Sequence, residues 1–188
     1  MGVLTRAQID AMGFKSVGVN VNLSDRASFY NCANISMGDN VRIDDFCVLS
    51  AGAGGISLGS FIHIAVHTSL IGAEAITLAD FCNLSSRVSI YSSSDDYSGR
   101  SMTNPMVPAE YTGVTSAPVK LDKHVIIGAG SVLVPGIVCE QGVAVGALSF
   151  VNRSCKEFGI YAGNPARRIK ERKRDLLELE AQLRAKLK

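Results

Sequence analysis

Three sets of side chains in this chain of 188 residues could take part in chemistry. The first is the run S-S-S-D-D-Y at 92–97, where Asp95 and Asp96 offer carboxylates that can take up a proton or hold a cationic group. The second is the three histidines, His63, His67 and His124, since imidazole is both the usual base near neutral pH and a common metal ligand. The third is a pair of small-residue steps, Gly128-Ala129 and Gly146-Ala147, with Arg153, Arg167, Arg168 and Lys170 following in sequence. Small residues leave backbone open to an extended ligand, and guanidinium groups match phosphate oxygens. The five cysteines, Cys32, Cys47, Cys82, Cys139 and Cys155, show no C-x-x-C pairing and no metal-like spacing, and read as reduced, small core residues.

The elements that must position these groups follow from one register. Apolar residues recur every six positions at Leu121, Ile127, Leu133, Cys139, Val145 and Val151, with Gly128 and Gly146 directly after an aliphatic position. A helix would repeat at three and four and a single half-buried strand at two. A sustained hexad instead predicts short strands joined by tight turns, three faces to a coil, each aliphatic side chain stacking on one a coil away. The same register runs through Val17, Leu23 and Phe29, then Met37, Ile43 and Leu49, then Leu58, Ile64 and Leu70, then Leu78, Leu84 and Ile90. It slips at 51–55 and 72–75, where Gly and Ala allow turns to bulge outward. Residues 92–118 carry no such period and hold three of the five prolines, so they read as a functional loop excursion, a lid or binding loop.

The hexad register and the ending G-N-P-A-R-R-I-K at 163–170 resemble the left-handed parallel β-helix acyltransferases, in the branch of galactoside, maltose and Nod-factor acetyltransferases and the sugar acetyltransferases of surface-polysaccharide synthesis. The resemblance spans roughly 17–170 and alone supplies the hand of the solenoid, because parallel crossovers generally take the other one. It implies an all-β solenoid, a homotrimer with active sites between subunits, and acetyl-CoA as cosubstrate. Its coenzyme A contacts carry over to Ala129, Ala147, Asn152, Arg153, Arg167 and Lys170, with the pantetheine arm lying along the small-residue column. Enzymes of this branch place a histidine five residues after the last aliphatic position of the third coil; counted from Ile90, that place holds Asp95. A carboxylate is a weak base at neutral pH, but an amine needs less help than a hydroxyl, and a carboxylate can hold its ammonium form. The substitution points to N-acetylation of a nucleotide-linked amino-deoxy sugar, with O-acetylation of a glycoside or polysaccharide hydroxyl as the alternative. His67 could meet Asp95 across a subunit interface as a second catalytic group. Ser94, Asp96 and Tyr97 beside Asp95, and Arg87 one coil above His67, are the candidate substrate contacts.

The expected organisation is a capping segment at 1–16 with a short helix from Thr5 to Met12, the β-helix at 17–162, and a helical tail at 163–188 with Pro165 as its first residue. A net charge of +2 argues against a broad nucleic-acid footprint, and no apolar run reaches membrane-spanning length, so a cytoplasmic enzyme is expected. Aromatic residues make up only 6%, with no Trp, as suits a narrow interior filled by Val, Ile and Leu. Two rivals remain: a non-catalytic trimeric scaffold, and a zinc site of the γ-carbonic anhydrase type. The zinc site fits poorly, because the register puts His67 on the second face, His124 on the first and His63 at a turn. No metal is therefore expected.

Overall fold

The computed structural model describes residues 2–187. Parallel strands of two to four residues wind into a three-sided solenoid whose sheets hold six, eight and six strands, the eight-stranded sheet ending in one antiparallel strand. Every inward residue of the register sits on its counterpart one coil away. In the first sheet Met37, Leu58, Leu78, Leu121 and Cys139 are successive partners. In the second they are Ile43, Ile64, Leu84, Ile127 and Val145. In the third they are Leu49, Leu70, Ile90, Leu133 and Val151. All fifteen are buried, so the core is a column of aliphatic layers, and stacking like on like is what makes a six-residue period stable.

The corners between sheets turn through residues of positive φ. At the first corner, between the first and second sheets, these are Asn40, Phe61, Phe81, His124 and Gly142; at the second they are Phe46, His67, Arg87, Gly130 and Leu148. Left-handed backbone is unfavourable for bulky side chains. Stacking of the corner rings offsets that cost at the first corner, where Phe61, Phe81 and His124 lie with centroids 4.9 Å apart and planes within 9°.

The excursion leaves from the third corner without breaking the column, because Leu78, Leu84 and Ile90 pair directly with Leu121, Ile127 and Leu133 across it. It has a stem of its own: Ser93–Ser94 pairs antiparallel with Thr115–Ser116. At the lower end helix α1 (Arg6–Ala11) has Thr5 and Gln8 in a reciprocal capping box, and its Ile9 is buried against the core, as a solenoid end requires.

The tail departs from the sequence expectation. Residues 165–187 are not one helix: Arg167–Glu171 is a strand, and helix α2 spans Leu176–Lys186. The top coil would leave Gly159–Ala162 with an open sheet edge, and Arg167–Glu171 folds back antiparallel on it. Satisfying that edge outweighs the modest helix propensity of the charged stretch. Helix α2 then packs at the first corner, where Glu180 meets His124 and Arg184 meets Asp80.

Candidate active site

The excursion arches over the outer face of the third sheet and encloses a cavity of about 810 Å³. Ser94, Asp95 and Tyr97 line it from the near limb, Thr112 and Val114 from the far limb, and Val132 and Phe150 from the sheet. The two adjacent aspartates divide the work. Asp96 accepts hydrogen bonds from the backbone N–H groups of Ser98 at 2.8 Å, Ser101 at 2.9 Å and Arg100 at 3.1 Å. The Ser98 hydroxyl foremost, with these backbone donors, holds the Asp96 carboxyl below the ordinary carboxylate range. Asp96 therefore shapes the loop. The carboxylate of Asp95 is exposed at the cavity and has no hydrogen-bond or ion-pair partner among the described residues.

A second cleft of about 350 Å³ lies at the second corner, lined by Gly130, Val132, Leu148, Ser149, Phe150 and Asn164. The two clefts share Val132 and Phe150, so they form one trough along the outer face of the third sheet. The segment 163–166 crosses its upper rim: Phe150 N–H donates to the Gly163 carbonyl at 3.0 Å, and Ala166 N–H donates to the Phe150 carbonyl at 2.8 Å.

The sequence-derived donor contacts fall around this trough unevenly. Ala129 and Ala147 are exposed on the second corner. Gly128 is small for another reason: a Cβ there would stand 2.4 Å from the Ala147 nitrogen, so it serves the close approach of coils. Arg167 lies opposite Ala162, at the second-corner end of the final strand pair, whereas Lys170 lies opposite Ile160, further toward the first corner. Asn152 and Arg153 follow Val151 onto the third corner. The structure thus groups Ala129, Ala147 and Arg167, and sets Asn152 and Arg153 at the other end of the Phe150–Val151 strand.

The histidines occupy three separate places, and each differs from its expected face. His63 is on a strand of the second sheet, not at a turn, with one ring nitrogen 2.8 Å from Asp44 and the other 3.2 Å from Asn83. His124 is at the first corner, buried, with Nε2 2.6 Å from Glu180. His67 is at the second corner, exposed, its ring stacked on Phe46 at 4.9 Å, with Arg87 one coil above. Within one chain the three imidazoles stand apart, and among the described residues no group of three His, Cys, Asp or Glu converges. Within one chain His67 and Asp95 also stand at different corners.

Sequence reasoning overlooked Tyr91, Val132 and Phe150 in the trough wall. They carried a signal: each is next to an inward residue, Ile90, Leu133 or Val151, and so points outward, where a large apolar side chain needs a partner.

No protein-family model matches the sequence. The chain is 55% identical over 181 residues to the dTDP-4-amino-4,6-dideoxy-D-glucose acyltransferase of Escherichia coli, covering 96% of this chain and 94% of that protein. AntD, an N-acyltransferase from Bacillus cereus solved in complex with dTDP and 3-hydroxybutyryl-CoA, matches with a TM-score of 0.93 at 45% identity, over 98% of this chain and 97% of AntD. A maltose O-acetyltransferase from Clostridium difficile 630 shares the fold, with a TM-score of 0.59 at 23% identity over 89% of this chain and 75% of that one.

Proposed function

The chain belongs to the left-handed β-helix acyltransferases of nucleotide-linked amino sugars, and on that footing we propose that it moves an acetyl group from acetyl-CoA to the 4-amino group of a dTDP-linked 4-amino-4,6-dideoxy sugar. The observation that carries the reading is the continuous trough. One end is walled by Gly130, Ser149 and Asn164, with exposed Arg167 three residues beyond Asn164 and in no ion pair among the described residues, suited to a phosphate-bearing donor, and the other ends at the exposed carboxylate of Asp95.

The residues then have these roles. The donor lies past Ala129 and Ala147, with Arg167 as the phosphate partner beside them; Lys170 stands farther along the same strand, and Asn152 and Arg153 stand at the third corner, at the other end of the Phe150–Val151 strand. Asp95 receives the sugar as its ammonium form, which releases one proton to solvent, and then orients the neutral amine. The nitrogen lone pair attacks the thioester carbonyl carbon, the carbon–sulfur bond breaks, and the departing thiolate takes up the proton that the new amide nitrogen sheds. A neutral amine needs no strong base, which is why an aspartate suffices here. Ser94 and Tyr97 border the sugar, and Asp96 acts through the loop it shapes.

The reading includes a homotrimer, in which His67 and Arg87 of one subunit face the excursion of the next and complete the acceptor site. Exposed Tyr97, Met102, Met106, Tyr111 and Val114 on the excursion support such a contact. It also includes a cytoplasmic address, supported by five free thiols.

The test offers acetyl-CoA with dTDP-4-amino-4,6-dideoxyglucose and, separately, with its 4-hydroxy counterpart, following release of free thiol. Turnover with the amine alone is expected; turnover with the hydroxyl compound alone overturns the reading.

A further inference from the structure

The two clefts meet at Val132 and Phe150, and these two residues are direct register partners on adjacent coils. Their outward column changes character where the excursion leaves the solenoid: Ser69 and Ser89 lie below, Val132 and Phe150 above. Any thioester that reaches from the cleft of Gly130, Leu148 and Asn164 to the carboxylate of Asp95 must pass over these two side chains. Phe150 cannot withdraw its main chain, because its N–H and its carbonyl are both tied to the crossing segment, at Gly163 and Ala166. Past it, Val134 and Pro135 continue the apolar wall.

We infer that Phe150, seated on Val132, sets the length of the acyl group this enzyme transfers, its ring filling the space that a chain longer than acetyl would need. The inference rests on the acyl-transfer reading of the trough. A hydrophobic pocket discriminates one methylene by roughly 10- to 200-fold at most, so acetyl is preferred strongly, and removing the ring relaxes that preference.

The experiment measures kcat/KM for acetyl-, propionyl- and butyryl-CoA at a fixed concentration of the amino-sugar nucleotide. In Phe150→Ala the butyryl-to-acetyl ratio is expected to rise by about 10-fold or more, with Phe150→Leu between it and the parent. Val132→Phe is expected to move the ratio the opposite way, and it serves as the test if Phe150→Ala does not fold. A loss of packing that slows the enzyme without touching selectivity lowers both values together and leaves the ratio where it was, so an unmoved ratio in a folded variant that still turns over acetyl-CoA overturns the inference. If the parent enzyme releases no thiol from any donor, the acyl-transfer reading itself has failed, a result distinct from an unmoved ratio.

Discussion

At the first corner, helix α2 places Glu180 against His124 at 2.6 Å and Lys123 at 3.3 Å, while Arg184 reaches Asp80 at 3.0 Å across the ring of Phe81. At the third corner, the excursion holds the Asp95 carboxylate at a cavity with no partner among the described residues, and Tyr97 nearby is 94% exposed. The two corners grow from the same hexads. One saturates its polar groups with internal partners and closes the solenoid against its own tail. The other leaves a carboxylate and apolar side chains exposed, without partners among the described residues. Charge at the first corner therefore serves to fold the chain, whereas under the proposed function the Asp95 carboxylate at the third is kept for a substrate.

The largest expected effect breaks this contrast from the catalytic side. Asp95→Asn should lower kcat by about 100-fold, the scale of a lost positioning or proton-transfer group, while the melting temperature stays that of the parent. Steady-state thiol release and thermal unfolding of the same preparation check both halves; an unchanged kcat removes Asp95 from the site.

From the other side, Glu180→Ala should leave kcat alone and destabilise the fold. It strips a partner from the buried His124, a cost of about 1–3 kcal/mol, or several degrees in melting temperature. The same carboxylate gives the corner a pH dependence. Burial pushes Glu180 up, but hydrogen bonds from Arg184, His124 and Lys123 outweigh it and bring it down to about 2. Its folded value lies below the unfolded one, so its contribution is complete above the ordinary glutamate range and is lost as pH falls toward about 2. Urea midpoints measured from pH 5 to pH 2 should fall less steeply in Glu180→Gln than in the parent.

Much of this was open to sequence alone, and the failures have a common cause. The inward column was legible from Val17 to Val151, because each layer repeats the chemistry of the one below and needs no distant information. The capping helix was legible from Thr5 as its N-cap, whereas the reciprocal bond from Gln8 was not. The strand Arg167–Glu171 was not, since the sheet edge it satisfies exists only once the top coil has formed. The histidines were misplaced because which residue of each hexad takes the positive-φ corner depends on stacking across coils, as His67 on Phe46 and His124 on Phe81 show. At the site, Asp95 could be counted from Ile90, but its freedom from the partners that engage Asp96 could not.

The smallest effect sharpens the contrast within the trough. Arg167→Ala should raise KM for acetyl-CoA by about 5- to 10-fold with kcat nearly unchanged, the mirror image of Asp95→Asn. A fall in kcat with KM intact would place Arg167 at the acceptor end instead.

The most direct test is a crystal structure with coenzyme A and dTDP-4-amino-4,6-dideoxyglucose bound together. The account predicts the sugar nitrogen about 3 Å from the Asp95 carboxylate, with the coenzyme A sulfur near Phe150 and its phosphates toward Arg167. A sugar nitrogen held by other groups, with Asp95 still facing solvent, would contradict it.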